Sequence, residues 1–335
     1  MEKEILKTIR YFSFFNYLPS FEEIYIFLEK KVTKNKVEAI LKSLESKNKI
    51  KKEKDLNNIR RYTLHVTHND TVGEYGIKFK IKNSNLKIKK YNERYFFSQK
   101  KLQNWRFRLY VKLLSFFPQI KLIGLSGSLA MMNANKDDDI DLFIITAKNR
   151  LFTGRFVAAV LAKILGIHRS YNKRYTLHAT RYTNKVCLNL FFDESDLAVP
   201  AFKRNEYVAH EVLQMRPIVN KDQIYERFLQ SNDWVFEIFP NSKSNIKYQI
   251  LKLHIKNQNH LNNFKFLTAI LRFAFFILNF LEVKVEEALK SFQMYFINKH
   301  KTTEIITKTQ LWFHPEDFYN KIKKITEKKV KRVTC

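Results

Sequence analysis

The sequence predicts an α+β protein in three parts: a helical module with a hairpin, a central α/β domain with a small mixed sheet, and a C-terminal helical region. Before residue 50, apolar residues recur at helical spacing. Near the middle, two strand-like apolar runs flank a turn of small residues, and beyond residue 220 the chain is helical and aromatic. We therefore divide the chain into the helical module (1–66), a linker (67–100), the central domain (101–220) and the C-terminal helical region (221–335).

The N-terminal part, residues 1–66, has a pattern of three helices and a hairpin. Apolar residues repeat at helical spacing over 2–15, and Pro19-Ser20 begins a second helix over 22–30. Thr33 is suited to cap a third helix over 34–47. The segment 50–64 predicts two short strands around a turn.

Three helices followed by a basic hairpin resemble a winged helix-turn-helix, which implies DNA or RNA binding through residues 1–66. Helix 34–47 would then be the recognition helix. Its exposed side would carry Lys34, Asn35, Lys36, Lys42 and Lys47. The alternative is a winged helix that serves packing or protein contact.

The polar, lysine-rich stretch 67–100 has weak alternation and predicts a linker with an extended segment. From Lys101 the apolar spacing is helical as far as Phe117, and Pro118 ends that helix.

Residues 122–146 contain the most informative pattern. An apolar run leads into the turn Gly127-Ser128, and Asp139 and Asp141 later flank Ile140 at the start of a second apolar run. Side chains two apart on a strand point to one face, about 6.5–7 Å from each other. Both carboxylates can therefore bind one divalent metal ion or a pair of them.

This pattern resembles the nucleotidyltransferase superfamily of DNA polymerase beta and kanamycin nucleotidyltransferase. The resemblance implies that Asp139 and Asp141 hold Mg²⁺ and that a nucleoside triphosphate binds at the turn. There Gly127 would let the backbone approach the phosphates, while the hydroxyls of Ser126 and Ser128 and the N–H groups opening the helix after Ser128 would donate hydrogen bonds.

Members that catalyse transfer usually present a third carboxylate from a later strand, here predicted over 185–192. Period-two alternation places Cys187, Asn189, Phe191 and Asp193 on one face, so Asn189 stands at the catalytic position where an Asp is expected. An amide cannot act as a general base. Asp193 could substitute for it, or 193–196 could be a solvated turn.

Charge and cysteine content limit the class of protein. Lys and Arg number 61 against 32 Asp and Glu, a net charge of +29, which attracts phosphate polymers or reflects an AT-rich genome. The two cysteines, Cys187 and Cys335, form no disulfide framework and no zinc spacing. The charged start lacks a signal peptide, so we expect a cytoplasmic protein.

After the strand that carries Asn189, residues 207–215 predict a helix that could turn His210 and Glu211 towards the cleft. The apolar run 264–281 is interrupted by Lys265, Arg272 and Asn279, so it predicts a bundle helix and no membrane span.

Together these patterns predict a cytoplasmic, Mg²⁺-dependent nucleotidyltransferase that transfers a nucleotidyl group from a nucleoside triphosphate to an acceptor. The alternative is a non-catalytic regulator that senses nucleotide and binds nucleic acid through its N-terminal module.

Overall fold

A computed structural model describes residues 1–65, 84–169, 184–243, 282–300 and 304–313. Helices and strands are mixed throughout these ranges, which confirms the α+β class. The strands form a two-stranded sheet in the N-terminal module and a six-stranded mixed sheet in the rest of the chain.

The N-terminal module consists of three helices and an antiparallel hairpin, as the sequence predicts. Ser20 and Glu23 form a capping box at the start of the second helix. Thr33 precedes the third helix, but its side chain makes no capping hydrogen bond. The bounds are α1 (Glu2–Phe14), α2 (Phe21–Ile26), α3 (Lys34–Ser46), β1 (Ile50–Lys54) and β2 (Arg60–Leu64).

A buried cation joins this hairpin to its neighbours. Arg61 donates hydrogen bonds to Asp55 Oδ2 and to Glu23 Oε2, each at 2.8 Å. Its guanidinium also lies 4.8 Å from the ring centre of Tyr91. The charge of Arg61 therefore holds β2 to α2 and to the helix that follows the module.

Helix α4 (Ser84–Gln103) occupies the second half of the stretch predicted to be a linker, which corrects that prediction from Ser84 onward. Asn104 then caps α5 (Trp105–Ser115), accepting hydrogen bonds from the backbone N–H groups of Arg106 and Phe107. Arg94 of α4 donates to the carbonyls of Phe15 and Asn16, so α4 is attached to the N-terminal module.

The main sheet has the strand order β6-β3-β4-β5-β8-β7. Strands β4 and β5 are parallel, and every other neighbouring pair is antiparallel. The bounds are β3 (Ile120–Leu125), β4 (Ile140–Thr146), β5 (Val186–Asp193), β6 (Arg216–Asn220), β7 (Ile305–Ile306) and β8 (Gln310–Trp312). The C-terminal region was predicted to be helical, but it also supplies β7 and β8, which extend this sheet.

Helices cover both faces of the main sheet. They are α6 (Gly127–Ala130), α7 (Leu151–Ile164), α8 (Glu206–Gln214), α9 (Ile224–Gln230), α10 (Trp234–Ile238) and α11 (Glu282–His300), with a 3₁₀ turn at Ala201–Lys203. Phe143 and Phe192 pack with α8, α9 and α10 on one face, whereas Ile144 and Phe191 pack with α5 and α7 on the other. Two cores therefore fix the central strands.

His210, which the sequence suggested could face the cleft, lies in the first of these cores. Its ring stacks on Tyr11 at 3.9 Å and on Phe27 at 4.3 Å between ring centres. Burial lowers its pKa well below the usual range, so the imidazole is neutral. His210 thus packs α8 against the N-terminal module, while Glu211 accepts a hydrogen bond from the Tyr207 hydroxyl.

Within the ranges given above, no helix is long and apolar enough to cross a membrane. The apolar run 264–281 lies outside those ranges.

We predict that Arg61→Ala lowers the free energy of unfolding by about 3–5 kcal/mol, because it leaves the Asp55 and Glu23 carboxylates without their buried cation. The matched control is Arg60→Ala, since Arg60 is the exposed neighbour on the same strand. That change should cost less than about 0.5 kcal/mol. Urea unfolding measures both, and equal costs would contradict the structural role of Arg61.

Candidate metal centre

Two carboxylates and a thiol meet at the edge of the main sheet where β4 and β5 begin. Asp139 immediately precedes β4, Asp141 lies in it, and Cys187 of β5 is the register partner of Asp141. One donor atom from each residue lies within 4.8 Å of the other two. The parallel pairing brings the groups together because both strands start at the same edge of the sheet.

The register of β5 changes immediately after Cys187, which corrects the predicted alternation. Asp141 pairs with Cys187, but Phe143 pairs with Leu190, so three steps on β5 oppose two on β4. Consequently Val186 and Leu188 pack in one core, whereas Leu190 and Phe192 pack in the other. The strict alternation predicted along this strand, which would put Val186, Leu188, Leu190 and Phe192 on one face and Cys187, Asn189, Phe191 and Asp193 on the other, is therefore wrong.

Because of this change of register, the β5 residue that lies beside Asp141 is Cys187 and not Asn189. Asn189 lies in the irregular stretch, where its carbonyl accepts a hydrogen bond from the Phe313 N–H at 2.9 Å. The residue beside Asp141 is Cys187. A one-residue irregularity leaves no mark in the sequence pattern, so alternation put Cys187 and Asn189 on one face but could not show that Cys187 is the one beside Asp141.

Asp193, the predicted substitute, lies at the opposite end of the strand. It pairs with Thr146, five residues along β4 from Asp141, which corresponds to about 16 Å. Its buried carboxylate accepts hydrogen bonds from the N–H groups of Asn149 at 2.7 Å and Ser195 at 2.9 Å. Asp193 therefore stabilises a turn and does not join the metal centre.

The turn at Ser126, Gly127 and Ser128 lies against Asp141. Ser126 N–H donates to the Asp141 carbonyl at 3.1 Å. Gly127 has a φ of +60°, and a Cβ there would come within 2.9 Å of Asp141 Oδ2. Only glycine suits both the conformation and the close approach. The helix begins at Gly127, not after Ser128, and Ser128 Oγ donates to Asp138 Oδ2 at 3.1 Å.

Helix α4 holds the loop that presents Asp139. Lys101 Nζ donates to the carbonyls of Lys136 and Asp138, and Ser98 Oγ accepts from the Ala134 N–H at 2.9 Å. Because α4 also binds the N-terminal module through Arg94, one helix connects that module to the loop of the metal centre.

Arg169 supplies positive charge inside the centre, a role that sequence analysis did not identify. Its Nη1 donates to Asp139 Oδ2 and, at 3.3 Å, to Cys187 Sγ. Burial and the charge of Asp139 raise the pKa of Asp141 to about 7, although Arg169 opposes the shift. Burial, followed by Asp141 and Asp139, also raises the pKa of the Cys187 thiol.

The donor set fits one divalent ion. Mg²⁺ prefers oxygen ligands and commonly binds through one or two carboxylates, water and substrate phosphates, a requirement that Asp139 and Asp141 meet. Within the described part of the chain, the third member of the donor group is the Cys187 sulfur and not another carboxylate. The site therefore lacks the third carboxylate that a two-ion arrangement would use.

We predict that Asp141→Asn stabilises the metal-free protein at pH 8 by about 1–3 kcal/mol. The pKa of Asp141 is raised from an ordinary value of 3.8 to about 7. Its contribution to stability is therefore complete below pH 4 and lost as the pH rises to 7. Urea unfolding in a chelator should show the two proteins diverging between pH 4 and pH 7. A variant less stable than wild type at pH 8 would contradict this electrostatic account.

Compared with models of known protein families, with curated proteins and with solved structures, the chain gives no significant match.

Proposed function

We propose that the chain is a Mg²⁺-dependent nucleotidyltransferase, which moves a nucleotidyl group from a nucleoside triphosphate to an acceptor and releases pyrophosphate. One observation carries the proposal: the carboxylates of Asp139 and Asp141 lie together at the edge of the sheet, with the Gly127 turn against them. The resemblance of residues 122–146 to the nucleotidyltransferase superfamily supports the same function.

Each group at this edge has a role in the proposed reaction. Asp139 and Asp141 bind the ion, which when present neutralises phosphate charge and orients the reacting oxygen. Gly127 leaves space for phosphate beside Asp141, because any side chain there would approach the Asp141 carboxylate. The hydroxyl of Ser126 is a further donor to phosphate oxygens, and that of Ser128 becomes one when it exchanges its hydrogen bond to Asp138 for one to phosphate. The guanidinium of Arg169 is suited to the same oxygens.

A specific observation favours the alternative, a regulator that binds nucleotide without turnover. Cys187 lies beside Asp141, where a catalytic member would present a third carboxylate, and Asp193 is about 16 Å away along the strand. Such a site can bind a nucleotide but has one fewer group to activate an acceptor hydroxyl. Label transfer from each nucleoside triphosphate to cellular RNA or protein separates the two functions, since only the enzyme produces a labelled acceptor.

We further propose that the N-terminal module is a winged helix that binds DNA or RNA. Lys34, Asn35, Lys36, Lys42 and Lys47 are all exposed, as that function requires. Three of these lysines already form ion pairs: Lys34 with Glu22, Lys42 with Glu38 and Lys47 with Glu2. Exposed ion pairs contribute little stability, so phosphate groups can compete for the lysines. The packing of α1 and α2 on α8 leaves this lysine-bearing side in solvent.

We predict that Asp139→Asn and Asp141→Asn each reduce Mg²⁺-dependent nucleotide binding at least tenfold and abolish label transfer, because each removes one of two charged oxygen ligands. The matched control is Asp137→Asn, an exposed residue of the same loop outside the donor group. Equilibrium binding of a fluorescent triphosphate, with and without Mg²⁺, measures the effect. Wild-type affinity in both site variants would exclude the proposed metal role.

For nucleic acid, the double variant Lys36→Gln/Lys42→Gln should weaken duplex DNA binding and lower the slope of log affinity against log salt by about 2. Fluorescence anisotropy at several salt concentrations measures both quantities. The control, Lys148→Gln/Lys163→Gln, removes two exposed lysines from the domain that contains the main sheet. If the control weakened binding as much as the α3 variant, the binding would come from diffuse charge and not from α3.

A further inference from the structure

We propose that Cys187 is a third ligand of the metal centre, so that the centre binds borderline-soft divalent ions such as Zn²⁺ and Co²⁺ more tightly than Mg²⁺. The inference rests on the metal role proposed for Asp139 and Asp141, and it adds a third ligand and the ions for which the centre has the highest intrinsic affinity.

The sheet fixes the sulfur in position. Cys187 is buried and is the register partner of Asp141, and its Sγ lies within 4.8 Å of carboxylate oxygens from both Asp139 and Asp141. Ligand atoms around one tetrahedral Zn²⁺ lie roughly 3–4 Å apart, because each bond is about 2.0–2.3 Å long. Side-chain rotation of the two aspartates can close the remaining distance, since the sulfur is already beside them.

A cation already lies between the oxygen and sulfur donors. Arg169 Nη1 donates to Asp139 Oδ2 and to Cys187 Sγ, so the guanidinium engages two of the three ligand atoms at once. This contact shows that positive charge is accommodated between a carboxylate and the thiol. When an ion binds, the Cys187 sulfur bonds to it, the thiol proton passes to solvent and the two hydrogen bonds from Arg169 break.

The chemistry of the donor atoms determines which ion binds more tightly when Cys187 is a ligand. Mg²⁺ gains little from sulfur, whereas Zn²⁺ and Co²⁺ bind thiolate, imidazole and carboxylate ligands. Two carboxylates alone suit Mg²⁺ or Mn²⁺ and give Zn²⁺ and Co²⁺ only a modest advantage in affinity. With Cys187 added, the set of two oxygens and one sulfur shifts the preference towards the thiophilic ions.

Cobalt titration of the full-length chain tests this directly, because a thiolate bound to Co²⁺ gives a sulfur-to-metal charge-transfer band in the near ultraviolet. The chain has two cysteines, so in Cys335→Ser the remaining thiol is Cys187. We expect this variant to show the band at one equivalent of Co²⁺. Cys187→Ser should lose the band and bind Co²⁺ more weakly by on the order of tenfold or more.

The outcomes are decisive even if the change at residue 187 prevents folding. Absence of the band from Cys335→Ser, whose site is intact, overturns the inference, as does a band that persists in folded Cys187→Ser. Circular dichroism checks folding, and Cys187→Ala replaces the serine variant if that one is unfolded.

This test also separates the inference from the proposed function. Mg²⁺-dependent nucleotide binding by wild type without the band would overturn the role of Cys187 and leave the function standing. If the charge-transfer band is present but the protein does not bind nucleotide, Cys187 is a metal ligand and the proposed function is wrong.

Discussion

Strands β4 and β5 pair in parallel at the centre of the main sheet, and the register of this pair decides which side chains of β5 lie beside Asp141 in the candidate metal centre. Asp141 and Cys187 are partners at one end of the pair, and Thr146 and Asp193 are partners at the other. Apolar cores on both faces hold the strands in this register, since a slip of one residue would exchange the two faces. The donors therefore converge because the sheet is well packed.

Burial of the acidic side chains at the start of β4 and β5 has an electrostatic cost, which Arg169 reduces. Two carboxylates and a thiol share a small, partly buried volume, which raises the pKa of both Asp141 and Cys187. Arg169 compensates part of the charge through its contacts with Asp139 and Cys187. A centre of this kind sacrifices stability without a bound cation, as is common where function requires concentrated charge. Helix α4 stabilises the arrangement by holding the Asp139 loop.

The sequence predicted most of the elements, because strong periodicity specifies local structure: the helices of the N-terminal module, its hairpin, the strand that begins just after Asp139 and bears Asp141, and the strand that bears Asn189 all formed. It failed where tertiary contacts decide. The apolar residues of 84–103 have only weak helical periodicity, yet the segment forms a helix in which Tyr91, Arg94 and Lys101 have buried partners. Likewise, the contact of Arg169 with Asp139 and Cys187 depends on the packed sheet, and the sequence around Arg169 does not predict it.

Diffraction from crystals grown with Mn²⁺ and a non-hydrolysable nucleoside triphosphate would test the central claim most directly, since manganese scatters anomalously and replaces Mg²⁺. The account predicts an anomalous peak bonded to the carboxylates of Asp139 and Asp141, triphosphate oxygens on the same ion beside Gly127, and Arg169 released from Asp139. A nucleotide and ion bound elsewhere, with Arg169 still joined to Asp139 and Cys187, would contradict it.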